Sequence, residues 1–258
     1  MIYSVRFLIL LGILSLVHLD LYALKRVSQT GDGFEGIIKF QIKSSMDEIN
    51  KGMMPAFTEY HIKGDDIIIQ MSGADNVKLA RLLIKGDQNS FYLIDDEART
   101  AMKVRVNNTE EGDRIGNVPD EFREEYEKAL KETGSDPDPE KIDLIETNET
   151  LDIQGYNCTK YLFTAEAEEA IVESEVWLTN KIYVEVPEVL KDRNNPLLLF
   201  MNEKGFPLRF IGKSNTKGQS YDFEMVAVKV TPGNLDPGDF EIPEDYHISD
   251  MTGLLERE

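Results

Sequence analysis

A single cysteine, Cys158, leaves this chain of 258 residues without an intrachain disulfide. A secreted eukaryotic protein of this size ordinarily carries several disulfides, whereas many bacterial extracytoplasmic proteins fold without them. The bacterial alternative is therefore adopted, and the three Asn-x-Ser/Thr matches at Asn107, Asn148 and Asn157 are read as unglycosylated. Histidine is almost as scarce. Of three, His18 lies in the N-terminal apolar run, leaving His61 and His247. Neither has the spacing of a metal pair, and there is no His-x-x-x-His or Cys-x-x-Cys. No Gly-x-Ser-x-Gly elbow and no phosphate-cradling glycine loop occurs. Asp65-Asp66 and Asp136-Pro137-Asp138-Pro139-Glu140 lack the spacing of a calcium loop. Cys158 has only Lys160 as a nearby cation, so a small buried core residue is the better reading than a nucleophile. The expectation is a protein that is not an enzyme and holds no cofactor and no metal. Missing motifs alone do not exclude a hydrolase, because sites are assembled in three dimensions.

Positive charge is also in deficit. Lys and Arg number 28 against 48 Asp and Glu, a net charge of −20. Such a surface repels nucleic acid and anionic headgroups, so nucleic acid is not an expected partner. Long apolar runs are missing beyond the N-terminus. There, Arg6 precedes an apolar stretch from Phe7 to Leu19, and Leu21-Tyr22-Ala23 offers a small residue at a cleavage position. That run is shorter than the ~20 residues a membrane helix needs. Residues 1–23 are read as a signal peptide, with an uncleaved anchor as the alternative. No cysteine sits near the cut, so no lipidated N-terminus follows. The mature chain is expected to be a periplasmic or secreted monomer with no stable membrane span.

What is present is enough for a core: 41% hydrophobic residues, with 12 Phe and 10 Tyr. Phe34, Gly36, Ile38, Phe40 and Ile42 alternate with polar residues, the period of a half-buried strand. Thr58–Ile62 and Ile67–Met71 flank Lys63-Gly64-Asp65-Asp66, and Ala80–Ile84 and Ser90–Ile94 flank another polar turn. Thr100–Val106 follows, completing a meander. The run Leu151–Thr164 and the run Ala170–Thr179, holding Cys158 and the only Trp, are read as the central hairpin of a large antiparallel sheet. Gly205–Gly212 and Tyr221–Val230 make the last hairpin, and Phe240, Ile242 and Tyr246 an apolar latch.

Three stretches break the strand pattern. Ser44–Phe57 carries Met46, Met53, Met54 and Phe57 and suits a short helix or lid. Val118–Thr133 places Phe122, Tyr126, Ala129 and Leu130 on one helical stripe, with acids in its first turn and lysines in its last. Pro187–Asn202 contains Leu197, Leu198, Leu199, Phe200 and Met201 in succession. The fold class expected is mainly β (α+β): a strongly curved antiparallel sheet or half-open β-barrel of about ten strands. Two or three short helices would cover its concave face. Residues 24–250 form one domain with an acidic helical insertion at 108–140, and 251–258 a frayed tail.

Ile153-Gln154-Gly155-Tyr156-Asn157-Cys158-Thr159-Lys160-Tyr161, then Val176-Trp177-Leu178-Thr179, then Gly205-Phe206-Pro207-Leu208-Arg209 before Phe240-Glu241-Ile242-Pro243, resemble a group of secreted bacterial domains of unknown function. That group is similar to the outer-membrane lipoprotein carrier and receptor (LolA/LolB-like) superfamily. The resemblance covers about Phe34 to Tyr246 and implies a half-open barrel with helices over an apolar cavity. The acidic insertion departs from the carriers, and their ligand-gating residues find no match, so lipoprotein transport itself does not carry over.

The function expected is an extracytoplasmic, non-catalytic binding protein that holds a lipid, an acyl chain or an apolar segment against the concave face. Met46, Met53, Met54, Phe57, Trp177, Leu197, Leu198, Phe200 and Met201 are the candidate cavity residues. The alternative is a structural or interaction module of the cell envelope with a filled core and an acidic face for a partner protein.

Overall fold

The computed structural model describes residues 33–45, 55–88, 90–105, 141–167, 170–184, 205–216 and 219–250. Within them the fold is one sheet of twelve strands. In chain order these are β1 (Gly36–Ser44), β2 (Phe57–Lys63), β3 (Asp66–Ser72), β4 (Lys78–Lys85), β5 (Ser90–Asp95), β6 (Thr100–Arg105), β7 (Lys141–Ile153), β8 (Tyr156–Ala167), β9 (Ala170–Thr179), β10 (Phe206–Thr216), β11 (Gln219–Pro232) and β12 (His247–Asp250). Across the sheet they run β12-β6-β5-β4-β3-β2-β1-β11-β10-β9-β8-β7. Two meanders, β2–β6 and β7–β11, are joined in the middle by β1, which pairs antiparallel with both β2 and β11. Only β12 runs parallel to its neighbour, β6.

The local chemistry explains the strands. Along β1, Ile38 and Phe40 are at most 1% exposed while Lys39, Gln41 and Lys43 face the other way. Each such burial contributes about 1.5–3 kcal/mol. Two-residue turns close the hairpins where the backbone must turn left-handed. Gly64 has φ +60°, and Gln154 and Gly155 have φ +54° and +83°, as a hairpin turn with two left-handed residues requires. Gly205, at φ +122°, lets the start of β10 lie against the carbonyl of Thr179; a Cβ there would collide with that backbone. Register shifts between Lys39 and Phe40, between Pro207 and Arg209, and between Glu146 and Thr150 bend the strands and so curve the open sheet.

The two faces differ. One is apolar across β1–β6, β10 and β11. On the other, the central strands carry paired charges, among them Lys39–Glu59 at 2.7 Å and Arg209–Glu224 at 2.7 Å. Over β3–β6 that second face is apolar again, with Ile68, Leu83, Tyr92, Ile94 and Ala101. The chain leaving β11 crosses it as a strap. Phe240, 1% exposed at the end of a one-turn 3-10 helix (Pro237–Phe240), packs there with Leu235, Ile242 and Tyr246. Lys85 grips the strap, donating to Asp66 (2.6 Å) and to Glu241 (3.3 Å). Burial opposes the Lys85 charge, but these carboxylates outweigh it and hold its pKa above the usual lysine value. Tyr246 donates to Asp96, which also takes Arg81.

Three sequence expectations change. The hairpin holding Cys158 and Trp177 lies near one edge of the sheet, not at its centre, because β1 inserts between the meanders. Leu151–Thr164 is not one run: the turn at Gln154-Gly155 splits it into β7 and β8. The two or three helices expected over the sheet are not seen. Val118–Thr133 and Pro187–Asn202 lie outside the described residues, as does most of Ser44–Phe57, and the one helix among the described residues is the single turn at Pro237–Phe240. The latch of Phe240, Ile242 and Tyr246 is present as read, and it continues into β12.

Candidate functional site: the apolar face of the sheet

The register lays the apolar face out in rows, because directly opposed residues share a face. Val176, Phe210, Met225 and Ile42 form one row. Ala227, Phe40 and Thr58 form the next, then Ile38, Tyr60, Ile69, Leu82, Leu93 and Met102. Ile62, Ile67, Ile84, Phe91 and Val104 make the last.

Burial is graded along these rows. Ile38, Ile62, Ile67 and Ile84 are 0–4% exposed. They join one cluster with Ile182 and Val184, which lie in the segment after β9. That segment is fastened under the start of β1 by Phe34, whose N–H donates to the Tyr183 carbonyl at 2.6 Å. This end of the face is closed. Toward the other end of β1 and across β3–β5, Ile42, Ile69, Leu82, Phe91, Phe210 and Phe223 are only half-buried. Phe210 and Phe223 meet edge to face at 5.9 Å between centroids. The result is an apolar surface closed at the start of β1 and less deeply covered in two places, toward the far end of β1 and across β3–β5.

Polar groups on this face are few. Tyr60 stands edge-on to Phe40, with 5.6 Å between ring centroids. Burial pushes its pKa up to about 12. Ser174, opposite Gly212 and Phe163, is 5% exposed with its Oγ unpartnered.

Two of the sequence-predicted cavity residues are described. Phe57 belongs to the opposite face: it is paired with Gln41, and the Lys39 ammonium sits 5.0 Å above its ring. Trp177 is 7% exposed and joins the main core, yet it opposes Lys160 in register, with the ammonium 5.8 Å from the ring. Its indole N–H is buried without a partner. Met46, Met53, Met54, Leu197, Leu198, Phe200 and Met201 lie outside the described residues. The accessible lining that the structure does bring together, Ile42, Ile69, Leu82, Phe210 and Phe223, was not singled out. Its signal was there in the period-two pattern of β1 and β11, but alternation identifies a face without saying how deeply each residue is covered.

Cys158 is 0% exposed, and burial together with the nearby Asp152 charge pushes its thiol up to about 11, away from a reactive thiolate. His61 is lowered below the usual histidine value by burial, which outweighs the pull of Glu59 at 3.7 Å. No group of three metal-ligating side chains is found among the described residues.

The raised acids make alkaline stability a direct test. Cys158, Tyr60 and Tyr161 all hold their protons more tightly when folded, the last two up to about 12. Above pH ~9 the native state therefore binds more protons than the unfolded chain, and stability falls as pH rises. Urea midpoints should drop between pH 8 and pH 11, and Tyr60→Phe should shallow that drop.

The sequence profile described as Domain of unknown function (DUF4412) matches residues 34–246. No curated protein matches the chain. Among solved structures, that of PNGF-II is similar at 15% identity with a TM-score of 0.41, covering 85% of this chain; the present chain spans 31% of that one. An outer membrane lipoprotein-sorting protein domain from Vibrio parahaemolyticus is similar at 11% identity and a TM-score of 0.25, covering 80% of this chain and 87% of its own.

Proposed function

The chain belongs to the DUF4412 family of domains of unknown function, and from the geometry of its sheet we propose that it is a non-catalytic binding protein for an apolar ligand. The ligand is a lipid, an acyl chain or an apolar polypeptide segment, held against the face lined by Ile42, Ile69, Leu82, Phe210 and Phe223. The observation that carries this reading is the gradient of burial. A face built only to fill a core would be covered throughout, whereas this one is sealed by Ile182 and Val184 at the start of β1 and leaves aromatic and aliphatic side chains only half-buried toward the far end of β1 and across β3–β5. Each ~100 Å² of that surface covered by a ligand contributes about 2.5 kcal/mol. Tyr60, isolated among apolar neighbours, is the polar group placed to meet a carbonyl or hydroxyl of the ligand.

No helix among the described residues is long and apolar enough to cross a membrane. The signal-like N-terminus, residues 1–23, is what supports an extracytoplasmic location. The resemblance of residues 153–161, 176–179, 205–209 and 240–243 to secreted bacterial domains that are themselves similar to lipoprotein carriers is compatible with such a ligand.

Native mass spectrometry of the protein, purified without detergent and incubated with a lipid extract, tests the reading. An adduct that vanishes on denaturation and partitions into organic solvent is the expected result. A clean apo mass under the same conditions overturns it in favour of a filled interaction module.

A further inference from the structure

The long edge of the sheet is open. β7 has β8 as its single hydrogen-bonded neighbour, and its outer row of backbone N–H and C=O groups meets no other strand among the described residues. From 145 to 152 its side chains are exposed on both faces, Thr147 alone being half-buried. Edges of this kind are templates for an added strand, and proteins usually shorten or cover them. Here the edge strand is 13 residues long.

Its side chains sort by face. Ile145 and Leu162 oppose each other in register, and Leu151 follows on the same side of the sheet. They are 58%, 39% and 37% exposed. The irregularity between Glu146 and Thr150 sets four steps of β7 against two of β8, so the alternation of faces is kept through it. Glu146 and Asp152 therefore lie together on the other side. Thus one side of this edge carries three exposed apolar side chains around the Lys160–Glu149 ion pair (3.2 Å), and the other side is acidic.

We propose that β7 receives an extended segment of a partner protein in which basic and apolar residues alternate, added as a further strand. Backbone groups of β7 would bind the segment's main chain. Its apolar residues would cover Ile145, Leu151 and Leu162, and its Lys or Arg side chains would meet Glu146 and Asp152. A second copy of the chain does not fit, because its own β7 would set carboxylates against carboxylates on molecules each carrying −20.

The test uses the full chain and two eight-residue peptides of equal composition, one alternating Lys and Val, the other with four Lys followed by four Val. Amide hydrogen exchange, read by mass spectrometry, should slow across β7 with the alternating peptide only. Ile145→Asp with Leu162→Asp, both at exposed positions, should weaken that peptide at least tenfold with an unchanged melting temperature, and Val77→Asp at a distant exposed site should not. Three outcomes overturn the proposal: no protection of β7, equal protection by the block peptide as for plain charge attraction, or β7 protection that appears with protein concentration alone and so reports self-pairing.

Discussion

Phe210→Asp combined with Phe223→Asp should lower the affinity for an apolar ligand by more than a hundredfold while the sheet persists. The two rings are half-buried, meet edge to face, and stand toward the far end of β1, where the apolar face is less deeply covered. Each lost ring contact removes about 2 kcal/mol of apolar burial, and the carboxylates that replace them must be desolvated by an incoming chain. Phe57→Asp is the matched control. Phe57 lies on the other face beneath Lys39, so its replacement should leave the ligand in place. Titration with a dye that fluoresces in apolar surroundings measures all three proteins, and circular dichroism reports the sheet. Loss of binding in Phe57→Asp with retention in the double variant would place the ligand on the opposite face. Phe223→Asp alone, less intrusive because Phe210 also packs with Tyr161, Phe163 and Val176, keeps the test open if the double variant unfolds.

Phe240→Ala should cost about 3–5 kcal/mol of stability, the range for emptying a buried aromatic site. Phe240 is 1% exposed and is the strap residue that enters the cluster of Ile68, Leu83, Tyr92, Ile94 and Ala101. Without it, the Lys85, Asp96 and Arg99 contacts to the strap remain, but they are partly or largely exposed pairs of small individual worth. Hydrogen exchange should accelerate first in the strap and in β12, whose parallel pairing to β6 follows directly from the strap. Strands β8 and β9, on the far side of the sheet, should change least. A urea midpoint unchanged from the parent protein would show that the strap adds nothing to the fold.

Much of the strand content could be read from the residues. Ile38, Phe40 and Ile42 on one side of β1, and Phe223, Met225 and Ala227 on one side of β11, follow from period-two alternation alone. Lys63-Gly64-Asp65-Asp66 reads as a turn because glycine accepts positive φ, and the structure puts φ +60° there. The turn at Gln154-Gly155 is hard to read from sequence because Gln does not favour a left-handed conformation, although its Gly neighbour does. The candidate site was legible only as a face. Run composition drew attention to Met46, Met53, Met54 and Leu197–Met201, which lie outside the described residues, and to Phe57, which hydrophobicity alone cannot assign to a side of the sheet.

By itself the sequence determined what is local: the alternation that makes strands, the glycines that allow tight turns, the lack of disulfide and metal chemistry in its motifs, and the acidic surface. Only the tertiary structure decided which strands are neighbours. That β1 lies between β2 and β11, that the Cys158–Trp177 hairpin sits near an edge, that β7 has β8 alone beside it among the described residues, and that the strap covers one half of the charged face all depend on long-range pairings. Such pairings rest on contacts between residues far apart in the chain, where loop closure and the fit of whole faces compete, and no window of sequence contains them.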